Sequence, residues 1–148
     1  MTDFRPEWFG GNEDAARLVA HLCTVAHTWD DLVDKDKVVT SDQVNQCFEI
    51  ALVNIPGNRF YQQYHEALAP LVYVGVLGYI TANSMEASGD PHQLEIAHGL
   101  RYSVAQVAAF AVAVTNTRED THRILPEAWK AWMPERFAEY AKEHNHVS

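Results

Sequence analysis

Apolar residues recur at intervals of three and four along almost the whole chain, and no segment alternates apolar with polar residues. That rhythm limits the fold more than any other feature, because side chains spaced this way share one face of a helix, whereas a strand needs a period of two. The sequence therefore predicts an all-α protein, a single-domain helical bundle of about four or five helices. With 148 residues, 47% of them apolar, such a chain buries roughly two thirds of its unfolded surface. Neither a disulfide nor a structural metal is needed to hold it together.

Capping residues divide the pattern into segments. Asn12 precedes Glu13 and Asp14, acids that suit a helix N-terminus, and Val19, Leu22, Ala26, Trp29 and Val33 then predict a helix over about 13–36. Thr40-Ser41-Asp42-Gln43 is a capping-box pattern that opens a second helix, which Pro56-Gly57 stops. Asn58 caps a third helix expected to reach about residue 87, bent at Pro70, and apolar nearly all round, which predicts a central place in the bundle. Asp90-Pro91 opens a fourth through Leu94, Ala97, Leu100, Val104, Ala108, Ala111 and Val114. Leu125 to Lys142 reads as an amphipathic segment broken at Pro134, with Trp129, Trp132, Phe137 and Tyr140 as a packing or dimer face. Residues 1–11 are expected to form an arm, and 143–148, with His144 and His146, a frayed tail.

A formal net charge of −9, from 11 basic and 20 acidic residues, repels phosphate backbones and anionic lipid, so neither nucleic acid nor membrane is an expected partner. The longest apolar run, Ala67 to Ala82, contains Pro70, Gly75 and Gly78 and is shorter than the ~20 residues of a bilayer span. The opening MTDFRPEWFGG lacks the apolar core of a signal peptide. Cys23 and Cys47 lie among helical apolar residues and read as reduced, buried thiols, and the expected location is cytoplasmic.

The most informative polar cluster is His27-Thr28-Trp29-Asp30-Asp31-Leu32-Val33-Asp34. At ~100° per residue, His27, Asp30, Asp31 and Asp34 share one arc of the helix, with Asp30 and Asp34 beside the core stripe and Asp31 turned further to solvent. Carboxylates crowded against a low-dielectric core repel one another unless positive charge sits among them. A hard divalent cation, Mg²⁺ or Mn²⁺, is the economical source of that charge, held by Asp30 and Asp34 one turn apart and by Asp31 directly or through water. His27 would then orient a carboxylate or act as a general acid or base.

Asp30-Asp31-Leu32-Val33-Asp34 resembles the DDxxD aspartate-rich motif of the all-α isoprenoid and terpenoid synthases. That resemblance implies a motif near the end of a long helix that binds Mg²⁺ to hold a substrate diphosphate. The chain has no second DDxxD and no Asn-x-x-x-Ser-x-x-x-Glu element.

On the fourth predicted helix, Glu95, His98, Tyr102 and Gln106 form a polar stripe with Arg101 beside it. Arg101 is the expected phosphate contact, drawn to Asp30 or Asp34 when substrate is absent if its helix faces those acids, with Glu95, His98, Tyr102 and, from the third helix, Glu66 as further substrate-binding candidates. Glu95 and His98 also have the Glu-x-x-His spacing of a di-iron ligand pair. Two functions fit these features. One is a metal-dependent protein that binds, hydrolyses or transfers a diphosphate-containing small molecule. The other is a non-catalytic oligomeric interaction module, with a homodimer as one form, whose acidic stripe contacts a partner protein.

Overall fold

The computed structural model describes residues 3–144, and every regular element among them is helical. A 3-10 turn, Pro6–Phe9, seats Phe9 in the core and leads through Gly10 in the left-handed region, φ 60°. A side chain at Gly10 would collide with the Thr115 carbonyl oxygen, so this crossing needs glycine. The expected arm is thereby pinned to the bundle, and the Trp132 indole N–H donates to the Asp3 carbonyl at 3.1 Å.

Helix α1, Glu13–Asp34, begins where Asn12 accepts from the Ala15 amide at 2.9 Å and ends at Lys35, a left-handed residue. Helix α2, Ser41–Glu49, carries the full Thr40/Gln43 capping box and continues through a π-helical turn, Ile50–Asn54, and a short helical turn, Ile55–Gly57. Asn58 caps α3, Arg59–Gln63, and its amide group donates to the Asp14 carbonyl at 2.9 Å, tying α3 to the start of α1. The chain breaks at Tyr64 before α4, His65–Glu86. Helices α5, Pro91–Leu100, and α6, Ser103–Thr115, follow; then α7, Arg118–Trp132, and α8, Phe137–His144.

Four or five helices was too few. The predicted third helix divides at Tyr64 and the fourth at Arg101-Tyr102, and α7 starts at a Thr117 cap that accepts from the Asp120 amide, well before Leu125.

The predicted central helix is also corrected. Helix α6 holds that place, with Ala105, Val107, Ala108, Ala111 and Val112 all buried, and it packs on α1, α4 and α7. Its small side chains let neighbours approach from several sides. The main core adds Leu18, Val19, Phe60, Leu68, Ile124, Ala128 and Trp132; a smaller cluster of Ala82, Leu94, Ala97 and Tyr140 joins α4, α5 and α8. Trp132 and Tyr140 are thus packing residues within the chain.

In α4 only Leu68, Tyr79 and Ala82 are buried. Its inner face lies on α5 and α6, where Gly75 and Gly78 permit close approach: a Cβ at Gly78 would already touch the Leu100 carbonyl oxygen at 3.6 Å. Its outer face leaves Tyr73, Val74, Leu77 and Ile80 between 45% and 63% exposed. By length and composition this helix could cross a membrane.

Candidate functional site

Arg101 sits in the break between α5 and α6 and turns its guanidinium back toward α4 and α1. Nη1 donates to Asp30 Oδ1 at 2.6 Å, and Nη2 donates to Glu86 Oε2 at 2.6 Å and to Asn83 Oδ1 at 2.9 Å. Nε completes a two-pronged grip on Glu86 through Oε1. Tyr79 donates its hydroxyl to Asp30 Oδ1 at 3.0 Å, and Tyr140 donates to Glu86. The cluster therefore locks α1, α4, α8 and the α5–α6 corner together around one side chain that is 14% exposed.

Burial alone would favour the neutral forms of these groups. At Arg101 that tendency is reversed by Glu86 and Asp30, and the guanidinium is held charged more firmly than usual. At Glu86 burial raises the carboxyl, but the hydrogen bonds from Arg101 and Tyr140 outweigh it and the net shift is downward. Asp34 moves the other way, raised first by desolvation and next by Asp30. No hydrogen bond or ion pair holds Asp34 among the described residues. Two carboxylates thus hold one guanidinium, Asp34 adds its charge only through space, and negative charge is in excess.

The positive charge that the crowded acids require is Arg101 itself. This changes the setting of each sequence candidate. Arg101, the expected phosphate contact, is already engaged by two carboxylates. Asp31, expected to face solvent more than Asp30, is the less exposed of the two, at 23% against 38% for the side chains, and pairs with Lys37 at 3.6 Å. His27 lies 3.6 Å from Cys23 Sγ, and desolvation lowers its pKa despite Asp30 and Asp31. Among the described residues no group of three or more His, Cys, Asp or Glu side chains is arranged to hold a metal ion.

The polar stripe of the fourth predicted helix does not form one surface, because the Arg101-Tyr102 break divides it. Glu95 is exposed and lies 3.6 Å from His92, while His98 is buried against Tyr140, ring centroids 4.7 Å apart, with Nε2 lacking a hydrogen-bond partner. Glu95 and His98 therefore do not converge as a ligand pair. Tyr102 faces Glu135 at 3.4 Å, and burial with that carboxylate pushes its hydroxyl up to about 12. Gln106 and Glu66 are exposed and outside the cluster. Cys23 is buried and Cys47 half-buried, both as thiols. His144 reaches to 3.8 Å from Glu86, whereas His146 lies outside the described residues.

Glu86, Asn83, Tyr79 and Tyr140 were not sequence candidates. One signal pointed to Glu86: it is the first charged residue after Glu66 on an otherwise uncharged helix.

Beside the cluster, α1 and α4 diverge over α6 and leave a cavity of about 120 Å³. Its walls are apolar, from Leu22, Val25, Ala26, Leu71, Val72 and Val107 among others, and Trp29, Tyr79, Ser103 and Arg101 also line it. The Trp29 and Tyr79 rings meet with centroids 4.2 Å apart. Compared with known proteins, the chain matches no family model, no curated protein and no solved structure. The DDxxD resemblance thus stands on its five residues.

Proposed function

We propose that the chain is an oligomeric interaction module that pairs with a second copy of itself through the outer face of α4. The observation that carries this reading is the exposure of Tyr73, Val74, Leu77 and Ile80 as one apolar strip. Large contiguous apolar patches on soluble domains mark interaction surfaces. No charged residue occurs from Ala67 to Met85. For two chains of net charge −9, an uncharged face is where approach costs least electrostatically. A two-fold axis across α4 would set the same strip against itself. Crossing a bilayer instead would strip Tyr79, Asn83 and Glu86 of their partners on Arg101 and Asp30, leaving polar groups unpaired.

Sedimentation equilibrium tests the reading. The wild-type chain should dimerise at about 100 μM, a modest affinity for a buried apolar strip. Leu77→Glu with Ile80→Glu should be monomeric with unchanged helical circular dichroism. A monomeric wild type, or uptake of α4 by neutral phosphatidylcholine vesicles, overturns it. The competing reading places Mg²⁺ or Mn²⁺ on Asp30, Asp31 and Asp34 to hold a diphosphate substrate, supported by the charge excess and the unpaired Asp34. It requires a calorimetric binding signal at about 1 mM metal and a matching rise in thermal stability.

A further inference from the structure

We infer that the cavity between α1, α4 and α6 is a binding site for an uncharged, single-ring, hydrocarbon-like molecule. Volume sets the upper bound: about 120 Å³ accepts about one benzene-sized group. Leu22 and Val25 from α1, Leu71 and Val72 from α4, and Val104 and Val107 from α6 make its wall branched aliphatic carbon on three sides. Val76, also in the lining and 36% exposed, gives the cavity an edge open to solvent.

The same wall excludes a charged guest. No carboxylate lines the cavity, and its one charged lining residue, Arg101, is a cation whose guanidinium already lies 5.4 Å from the centre of the Tyr79 ring. An ammonium would give up its water to stand beside that charge. An anion gains nothing either, because Arg101 is committed to Asp30, Glu86 and Asn83, and a carboxylate would have to displace groups that hold the fold together. The Tyr79 hydroxyl donates to Asp30 at 3.0 Å and the Ser103 hydroxyl to the Gly75 carbonyl at 3.4 Å. With these groups engaged, water in the cavity finds few partners, and an apolar body displaces it without stranding a polar atom. The wall then offers dispersion contact and two aromatic rings, Trp29 and Tyr79, with centroids 4.2 Å apart. A third ring packs against such a pair offset or edge-on.

Titrating the full chain at pH 7 with toluene, benzylamine and benzoate, followed by methyl and amide chemical shifts, tests both parts. Toluene should bind saturably with a Kd on the order of 1 mM, and the ammonium and the carboxylate at least about ten-fold more weakly. Nuclear Overhauser contacts from toluene should fall on the methyl groups of Val72 and Val107. Ala26→Phe, which fills the cavity from α1, should abolish toluene binding with helical circular dichroism unchanged. Binding of either ion as tightly as toluene would overturn the exclusion of charge. Absence of a saturable shift at about 5 mM toluene, contacts confined to Leu77 and Ile80 on the outer face of α4, or binding unaffected by Ala26→Phe would overturn the site. The Overhauser contacts locate toluene in the wild-type chain even if Ala26→Phe fails to fold.

Discussion

The inner and outer faces of α4 are both apolar, yet their surroundings are opposite. Inward, Gly75, Gly78, Tyr79 and Ala82 fit against α5 and α6, and Asn83 and Glu86 continue that side into the grip on Arg101. Outward, Tyr73, Val74, Leu77 and Ile80 are left largely uncovered by the described residues. Hydrophobicity alone does not decide which side of a helix is buried within its own fold. Small residues that allow close approach, and a carboxylate with a cation to meet, mark the inner face; bulky side chains without either mark the outer one.

The largest expected effect comes from breaking the inner face at its polar end. Arg101→Met should cost ~3–5 kcal/mol in equilibrium denaturation, because Glu86 is left buried beside Asp30 without a counter-charge. A loss under about 1 kcal/mol would mean the cluster is no more than a surface ion pair, and the contrast between faces would fail.

Truncating one leucine on each side sharpens the contrast. Leu68→Ala removes a fully buried side chain and should lower stability by ~2–5 kcal/mol at any concentration. Leu77→Ala, at a residue 45% exposed, should cost less than about 1 kcal/mol in the monomer and show its main effect on association. Urea denaturation of both variants at two chain concentrations separates the effects. Equal losses would contradict the assignment of faces.

Acid should loosen the inner face only. Glu86 has a folded-state pKa below its ordinary value of 4.5, so its contribution is fully present above that pH and is lost as pH falls through the lowered value. Asp34 works in the opposite sense. Its folded pKa lies above the ordinary 3.8, so the penalty it imposes at neutral pH is relieved as pH falls through the raised value. Stability should hold or rise slightly from pH 7 down to the carboxylate range and then fall. In Arg101→Met the fall assigned to Glu86 should disappear, which urea midpoints at a series of pH values would register. The smallest effect belongs to Asp34→Asn, within about 0.5 kcal/mol and stabilising at pH 7, since it removes repulsion from an exposed edge.

The sequence showed the all-α class and most helix starts, because caps are local. Asn12, Thr40 with Gln43, Asn58 and Asp90 each bond to an amide two or three residues ahead. Thr117 bonds the Asp120 amide in the same way, so α7 starts before the Leu125 at which the amphipathic pattern begins. The break at Arg101-Tyr102 has neither Gly nor Pro at the break itself and arises where Arg101 turns toward acceptors on other helices, so periodicity ran straight through it. Arg101 and Asp30 were both legible as candidates, the first as a charge on an apolar helix and the second as part of the acidic stripe. Their partner Glu86 was not, because the three meet only when α1, α4 and the α5–α6 corner are assembled. The crowding of the acids demands positive charge, and the expectation that Arg101 meets Asp30 or Asp34 if its helix faces them holds at Asp30, 71 residues away; that Glu86 and Asn83 share the same guanidinium was not legible.

The outer face of α4 is tested most directly by one spin label at Leu77→Cys in a Cys23→Ala, Cys47→Ala background, measured by double electron–electron resonance. Helices paired across a two-fold axis lie ~8–10 Å apart, so labels at the centre of the strip should give one narrow interchain distance below about 20 Å. The distance should vanish on dilution with unlabelled chain. A folded, labelled protein with no short interchain distance at about 100 μM would contradict the account.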